Sequence, residues 1–309
     1  MNAKDELPLP ILRHLKNEIN EYSKGGVVAE KNSIALHAYP DEIIKELRNH
    51  RVAYTFTQNS NSSALSLGTY PVLRYIQEQQ IAKDDRGLYA LDFSAWRQVS
   101  TRTQDSEAGE ISSIEVLDNS GKVAHKICFN SSSSEIAHHC FASKFGYPDT
   151  DRVVESPNRH VSSKAPWKKD LNSRFNVLAN LANDKALPLP GKFLISFLSR
   201  MAESTCPLRF QLFGTAANQN IIGKIRSYDP SNEWISCSTK SGGFNIRKGS
   251  TPNLFLITCK CPCCEKQLWA IEAYDRNQKL LFVITTGSER YESSFRKEVN
   301  MALKDFDLM

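Results

Sequence analysis

Long apolar runs are missing from this 309-residue chain. No stretch approaches 18 uninterrupted apolar residues, so no helix is expected to cross a bilayer. The +5 net charge comes from scattered Lys and Arg, with no arginine-rich tract and no recognised nucleic-acid motif. Also absent are a Gly-rich phosphate loop, a His-Glu-x-x-His helix and a Gly-x-Ser-x-Gly elbow, which removes the commonest nucleotide, zincin and hydrolase signatures. The opening MNAKDELPLPILRHLKNEI is broken by Pro8, Pro10 and Arg13 and does not read as a secretory signal. A cytoplasmic protein is therefore expected, with its eight cysteines as free thiols.

What is present suits a globular chain of about two domains: 40% hydrophobic and 24% charged residues. Two segments read as breaks, Tyr147–Trp167, rich in Pro, Ser, Asp and Arg, and the short ALPLPG from Ala186 to Gly191. The predicted organisation is an N-terminal helical extension (1–40), a first repeat (41–146), a linker and helix (147–189) and a second repeat (190–309).

The repeat is visible in the residues. Ile114, Glu115, Asp118 and Lys122 of IEVLDNSGK recur 157 positions later as Ile271, Glu272, Asp275 and Lys279 of IEAYDRNQK. Each segment runs into an apolar strand, VAHKICF or LLFVITT, then a Ser-containing turn and an amphipathic helix. The spacing predicts helices over Glu135–Lys144, with Ser134 as N-cap and Ile136, Ala137, Cys140 and Phe141 inward, and over Tyr291–Phe306. Opening helices are expected at Asp41–His50 and Gly191–Ser204. Between them lie short β-branched or alternating runs with turn signals such as DNSG and SGGF, and no interposed helices. The expected fold class is α+β, two tandem copies of an antiparallel sheet flanked by helices.

These residues resemble the HemS-type family of bacterial haem-utilisation proteins, or hemin-degrading factors. SAWRQV (Ser94–Val99) and SIEVLDNSGKVAHKICF (Ser113–Phe129) carry the resemblance, with Asp118, Gly121, His125 and Lys126 in register. GKI (Gly223–Ile225), GFNIRKG (Gly243–Gly249) and IEAYDRNQKLLFVITTG resemble the second copy. The resemblance implies haem as ligand, an axial histidine from a helix after the linker, and basic and tyrosine side chains on the propionates. At the matching stretch, KKDLNSRFNVL (168–178), Ser173 or Arg174 stands where that histidine is expected. QNSNSSALSLG (Gln58–Gly68) replaces the stretch of a second one.

Haem iron takes an imidazole, phenolate or thiolate, and propionates take Arg, Lys or Tyr. His160, in the linker, is a candidate ligand or a solvated loop residue. His138 and His139 suit a surface role, and His125 suits the fold. Arg290 and Tyr291 after the last strand, Arg247 and Lys248 of FNIRKG, and Arg174 are candidate anion partners, although solvated charge would explain them equally well. CKCPCC brings together Cys259, Cys261, Cys263 and Cys264. Cys261-Pro262 is a Cys-Pro dipeptide of the kind used for thiolate haem ligation, Cys206-Pro207 is a second, and the cluster could instead hold zinc or Cu(I) or consist of incidental thiols. The expected function is a cytoplasmic haem carrier of haem uptake and iron acquisition, with haem breakdown implied by resemblance alone. Its expected partners are haem, a haem transporter or a downstream acceptor, with no nucleic acid and no membrane insertion. The alternative is a non-enzymatic paralogue that has lost haem ligation and works as a binding or regulatory protein, with its cysteine hairpin as a candidate site.

Overall fold

The computed structural model describes residues 33–68, 70–76, 81–106, 109–146, 174–176, 178, 185–230, 233–249, 253–260 and 267–308. His160, Cys261, the whole Tyr147–Trp167 break and most of CKCPCC lie outside the described residues.

In chain order the elements are β1 (Ser33–Ala35), α1 (Pro40–Leu47), β2 (Val52–Gln58), β3 (Ser62–Leu67), β4 (Arg74–Ile76), β5 (Ile81–Lys83), β6 (Tyr89–Asp92), β7 (Gln98–Ser106), β8 (Gly109–Leu117), β9 (Val123–Phe129) and α2 (Ser134–Phe145). They continue with β10 (Ala186–Leu189), α3 (Phe193–Glu203), β11 (Leu208–Phe213), β12 (Ala217–Gly223), β13 (Ser227–Asp229), β14 (Trp234–Thr239), β15 (Gly242–Arg247), β16 (Asn253–Lys260), β17 (Gln267–Tyr274), β18 (Leu280–Thr286) and α4 (Glu292–Lys304). The strands form two nine-stranded antiparallel sheets, ordered β1-β7-β8-β9-β2-β3-β15-β14-β13 and β10-β16-β17-β18-β11-β12-β6-β5-β4. This is the expected α+β class.

By compactness the chain divides into two units. The first comprises Met1–Ser60, Ser66–Lys164 and Thr215–Ala217, and the second Asn61–Leu65, Ala165–Gly214 and Asn218–Met309. In the first, α1 buries Ile43, Ile44 and Leu47 and α2 buries Ala137 and Phe141. Both pack on the alternating Val99, Ile114, Val116 and Ile127 of the sheet. In the second, Phe193, Leu194, Phe197, Leu198 and Met201 fall on one stripe of α3, and Phe295, Val299, Ala302 and Leu303 on one stripe of α4. These cover Leu208, Phe210, Leu212, Ile271, Ala273, Phe282 and Ile284.

The two hairpins read from the sequence have matching turns. In β8–β9 the amides of Lys122 and Ser120 bond the Asp118 carboxylate, and Asp118 N–H bonds Lys122 O at 2.9 Å. In β17–β18 the amides of Lys279 and Asn277 bond the Asp275 carboxylate, and Asp275 N–H bonds Lys279 O at 2.9 Å. Each turn needs one left-handed residue, supplied by Gly121 (φ 76°) and by Gln278 (φ 64°).

Three details differ from the sequence reading. ALPLPG, read as a break, forms β10, an edge strand paired with β16, where Pro188 is tolerated because the outer side needs no donor. Ser134 is not the cap of α2 but its first residue, and its hydroxyl accepts from the Ser112 amide. Ile136, expected inward, is 64% exposed, and the buried stripe is Ser134, Ala137 and Phe141.

Candidate functional site

Strand alternation gives the sheet of the second unit a face turned away from α3 and α4. In the second unit this face follows from the register. One row runs Pro188, Phe255, Glu272, Val283, Gln211, Asn220, and the next runs Ala186, Ile257, Ala270, Thr285, Arg209, Ile222. Phe255, Ile257, Ala186, Tyr274 and Leu280 form an apolar cluster there, with Phe213, Ala270 and Val283 half-buried against it. Residues 174–176 and 178, which are helical, lie on that cluster. Leu178 is buried in it, and the Phe175 ring meets Tyr274 and Phe255 edge-on, at centroid distances of 5.3 and 5.9 Å.

One carboxylate sits within this apolar patch. Glu272 is 2% exposed. Arg174 Nε donates to its Oε2 at 2.8 Å and its Oε1 at 3.1 Å, and Nη2 donates to Oε1. The Tyr274 hydroxyl donates to Glu272 Oε2 at 2.6 Å. Hydrogen bonding to Glu272 drives the Arg174 pKa above the usual arginine range. Burial, the neighbouring carboxylate charge and the bond to it push the Tyr274 phenol well up, so it stays protonated. Arg174, the sequence candidate, is thus committed to an internal pair.

The first unit solves the same problem differently. Glu115, at the equivalent hairpin position, lies opposite Lys126, with Lys126 Nζ at 3.2 Å and Arg102 Nη1 at 3.8 Å. Residue 283 takes the corresponding place opposite Glu272 and is valine. The second unit therefore draws its neutralising cation from residue 174, outside the sheet.

The other candidates separate into two places. Arg247 ends β15 and Lys248 follows it, both against Pro230 and Glu233. Arg247 Nη2 lies 3.4 Å from Glu233 Oε2, Lys248 N–H bonds Glu233 O at 2.7 Å, and Lys248 Nζ bonds Pro230 O. Arg290 and Tyr291 follow β18, where the guanidinium lies 4.7 Å from the tyrosine ring centroid. These two pairs belong to different sheets. Cys206 donates to Pro207 O and Tyr291 O at 3.6 and 3.7 Å, and burial pushes its thiol up to about 11. Among the described residues no group of three or more His, Cys, Asp or Glu side chains is arranged to hold a metal ion.

His125 lies on the helix-covered side of the first unit. Its Nδ1 shares a hydrogen bond with Thr57 Oγ1 at 2.8 Å and its Nε2 one with Tyr70 Oη at 3.2 Å, and burial lowers its pKa to about 3. His138 pairs with Thr101 Oγ1 at 3.0 Å and His139 is exposed.

Sequence reading missed two residues of the face turned away from α3 and α4. Arg209 is exposed there, and its side chain has no hydrogen-bond or ion-pair partner among the described residues. The alternation in LRFQLF held the signal: Leu208, Phe210 and Leu212 point to the helices, so Arg209 and Gln211 must point away. Glu272 was legible as half of a repeated Ile-Glu pair, although its burial was not.

No protein-family model matches the chain, and no curated protein matches it. Solved structures do. Holo-PhuS, a heme-binding protein from Pseudomonas aeruginosa, superposes with a TM-score of 0.72 at 14% identity, covering 87% of this chain and 86% of that one. ChuS, a heme-degrading enzyme of Escherichia coli O157:H7, gives 0.72 at 15%, covering 94% and 93%. A second ChuS structure, described as an E. coli heme oxygenase, gives 0.71 at 13%, covering 94% and 95%. The fold implied by the HemS-type motifs is the fold found: this chain is built like PhuS and ChuS along most of its length.

Proposed function

We propose that the chain binds haem as cargo on the sheet face of its second unit that is turned away from α3 and α4, and serves as a carrier in haem uptake and iron acquisition. The observation that carries this reading is the patch itself. An apolar floor of Ala270, Val283 and Phe213 adjoins Arg209, a cation with no partner among the described residues, with Gln211 and Thr285 on the neighbouring positions. The strands β17, β18, β11 and β12 span roughly 14 Å at their usual spacing, a breadth suited to a flat macrocycle. A dicarboxylic ring needs that combination of apolar area and a few placed polar groups. Arg209 is the propionate partner on this face, and Arg247, Lys248, Arg290 and Tyr291 are further candidates at strand ends. The likeness to PhuS and ChuS supports the reading as analogy of fold.

Haemin titration followed by absorbance tests it. A stoichiometric Soret change at micromolar haemin, weakened about tenfold or more by Arg209→Ala, is expected from loss of one charge-assisted bond. No stoichiometric change would end the reading. Signal loss in His160→Ala or Cys261→Ala would identify an axial ligand among residues outside the described part. With ascorbate under air, Soret decay with release of iron would mark a degrader rather than a carrier.

The second reading is a paralogue without haem ligation. The Arg174–Glu272 pair favours it, because the position that the resemblance reserves for an axial histidine holds a guanidinium, which cannot ligate iron.

A further inference from the structure

The geometry points to a further ligand site, within the first unit, for a small aromatic monocarboxylic acid. It lies in the wedge where β1 parts from β7, and it is independent of the haem-binding reading.

The wedge follows from the strand ladder. β1 pairs with β7 only from Ser33 to Ala35, opposite Arg102 to Ser100. Leu36 N–H still bonds Val99 O at 2.9 Å, but His37 N–H turns to Phe145 O at 2.7 Å, and the chain then enters α1. The first residues of β7 therefore lose their neighbour. A cavity of about 320 Å³ opens there, lined by residues 35–40, 42 and 96–99, all of the first unit. That volume is at the lower end for small-molecule sites and equals about ten waters. Leu36, Val99 and Trp96 in its lining are buried. The indole is fixed before any ligand arrives, its N–H bonding Ala216 O at 3.2 Å and the Phe93 ring meeting it edge-on at 4.8 Å. A wall already held this way loses little freedom on binding. Tyr39, 55% exposed, adds a second ring to the lining. Charge sets the rest of the ligand class. Glu42 is engaged, its Oε2 accepting the Tyr39 amide at 2.9 Å, and Asp41 beside it pairs with Lys45 at 3.0 Å. Arg97 is anchored by its N–H to Leu117 O at 2.9 Å, and its exposed side chain has no hydrogen-bond or ion-pair partner among the described residues. A guanidinium beside apolar surface takes a carboxylate through parallel bonds. The space admits one ring bearing one such group.

The test follows the fluorine NMR signals of para-fluorophenylacetate, para-fluorophenylethanol and para-fluorophenethylamine as the full chain is added. The acid is expected to saturate with a dissociation constant at or below about 1 mM, ordinary for a ligand of about ten heavy atoms. Arg97→Gln should weaken the acid about fivefold or more and leave the alcohol unchanged, since only the acid loses a charge-assisted bond. Arg97 is exposed, so this variant leaves the core intact. Arg209→Ala should leave acid binding as it is, because that residue belongs to the face of the second unit. Failure of the acid to saturate below about 10 mM would overturn the inference, as would a change of less than about twofold in Arg97→Gln. Tighter binding of the amine than of the acid, or loss of acid binding in Arg209→Ala, would overturn it equally.

Discussion

A buried carboxylate needs a cation, and at residue scale the two units meet that need from different sources. Glu115 lies across the ladder from Lys126, whereas Glu272 lies opposite Val283 and depends on Arg174. Removing one partner of a buried pair leaves the other charge stranded, while replacing both can be nearly neutral. Arg174 is half-exposed, so Arg174→Ala should cost about 1–3 kcal/mol. The double change Arg174→Met with Glu272→Leu should cost less than that single change. Urea unfolding of the three chains checks the order.

His125 makes a second prediction at this scale. Its folded-state pKa of about 3 lies below the ordinary histidine value of 6.5. Protonation therefore favours the unfolded chain. This contribution to stability is complete above pH 6.5 and is lost as pH falls from 6.5 towards 3, by about 1.4 kcal/mol per pH unit. Between pH 6 and 4, stability should fall more steeply in the native chain than in His125→Gln, as measured by denaturant midpoints across pH. Equal slopes would show that another group sets the acid limit.

At the scale of elements, the paired turns offer a comparison. Gln278 holds a left-handed conformation that its counterpart Gly121 adopts freely. Gln278→Gly should stabilise by about 0.5–1 kcal/mol despite the looser unfolded chain, and Gly121→Ala should destabilise by about 1 kcal/mol. Thermal melting reads both as Tm shifts of opposite sign. The stacked Phe210–Phe244 pair, at a 4.2 Å centroid distance within the second core, should be far less forgiving. Phe244→Ala should cost about 3–5 kcal/mol in the same melts.

Elements were also what the sequence made most legible. The runs VAHKICF and LLFVITT are strands β9 and β18 residue for residue, and α2 and α4 fall within two residues of their predicted bounds. Periodicity reports which residues share a face, and strong local patterns survive packing. It misplaced Ile136 because the 3.6-residue stripe of α2 is narrow, and it read ALPLPG as a break because two prolines outweigh an edge position that only the sheet order reveals.

For the whole molecule, legibility declined with sequence separation. The Arg174–Glu272 contact spans 98 residues, and no local pattern announces it. The patch beneath Phe175 and Leu178 was likewise hidden, since its rows gather residues from β10 to β18 that only register brings into line. Ligand linkage gives a test at this scale. A ring that binds the native chain alone should raise its stability by about 2.7 kcal/mol at a hundredfold excess over Kd. Calorimetry with haemin should show that gain, and Arg209→Ala should reduce it.

The contrast in how the two hairpins are neutralised reaches back to synthesis. In a nascent chain, Glu115 and Lys126 leave the ribosome almost together, and their hairpin can close with its charges matched. Glu272 emerges long after Arg174, and the loop between them must close before that carboxylate can enter an apolar surface at low cost. The second hairpin should accordingly mature late, and pulse-labelled amide exchange should find β17 protected after β8.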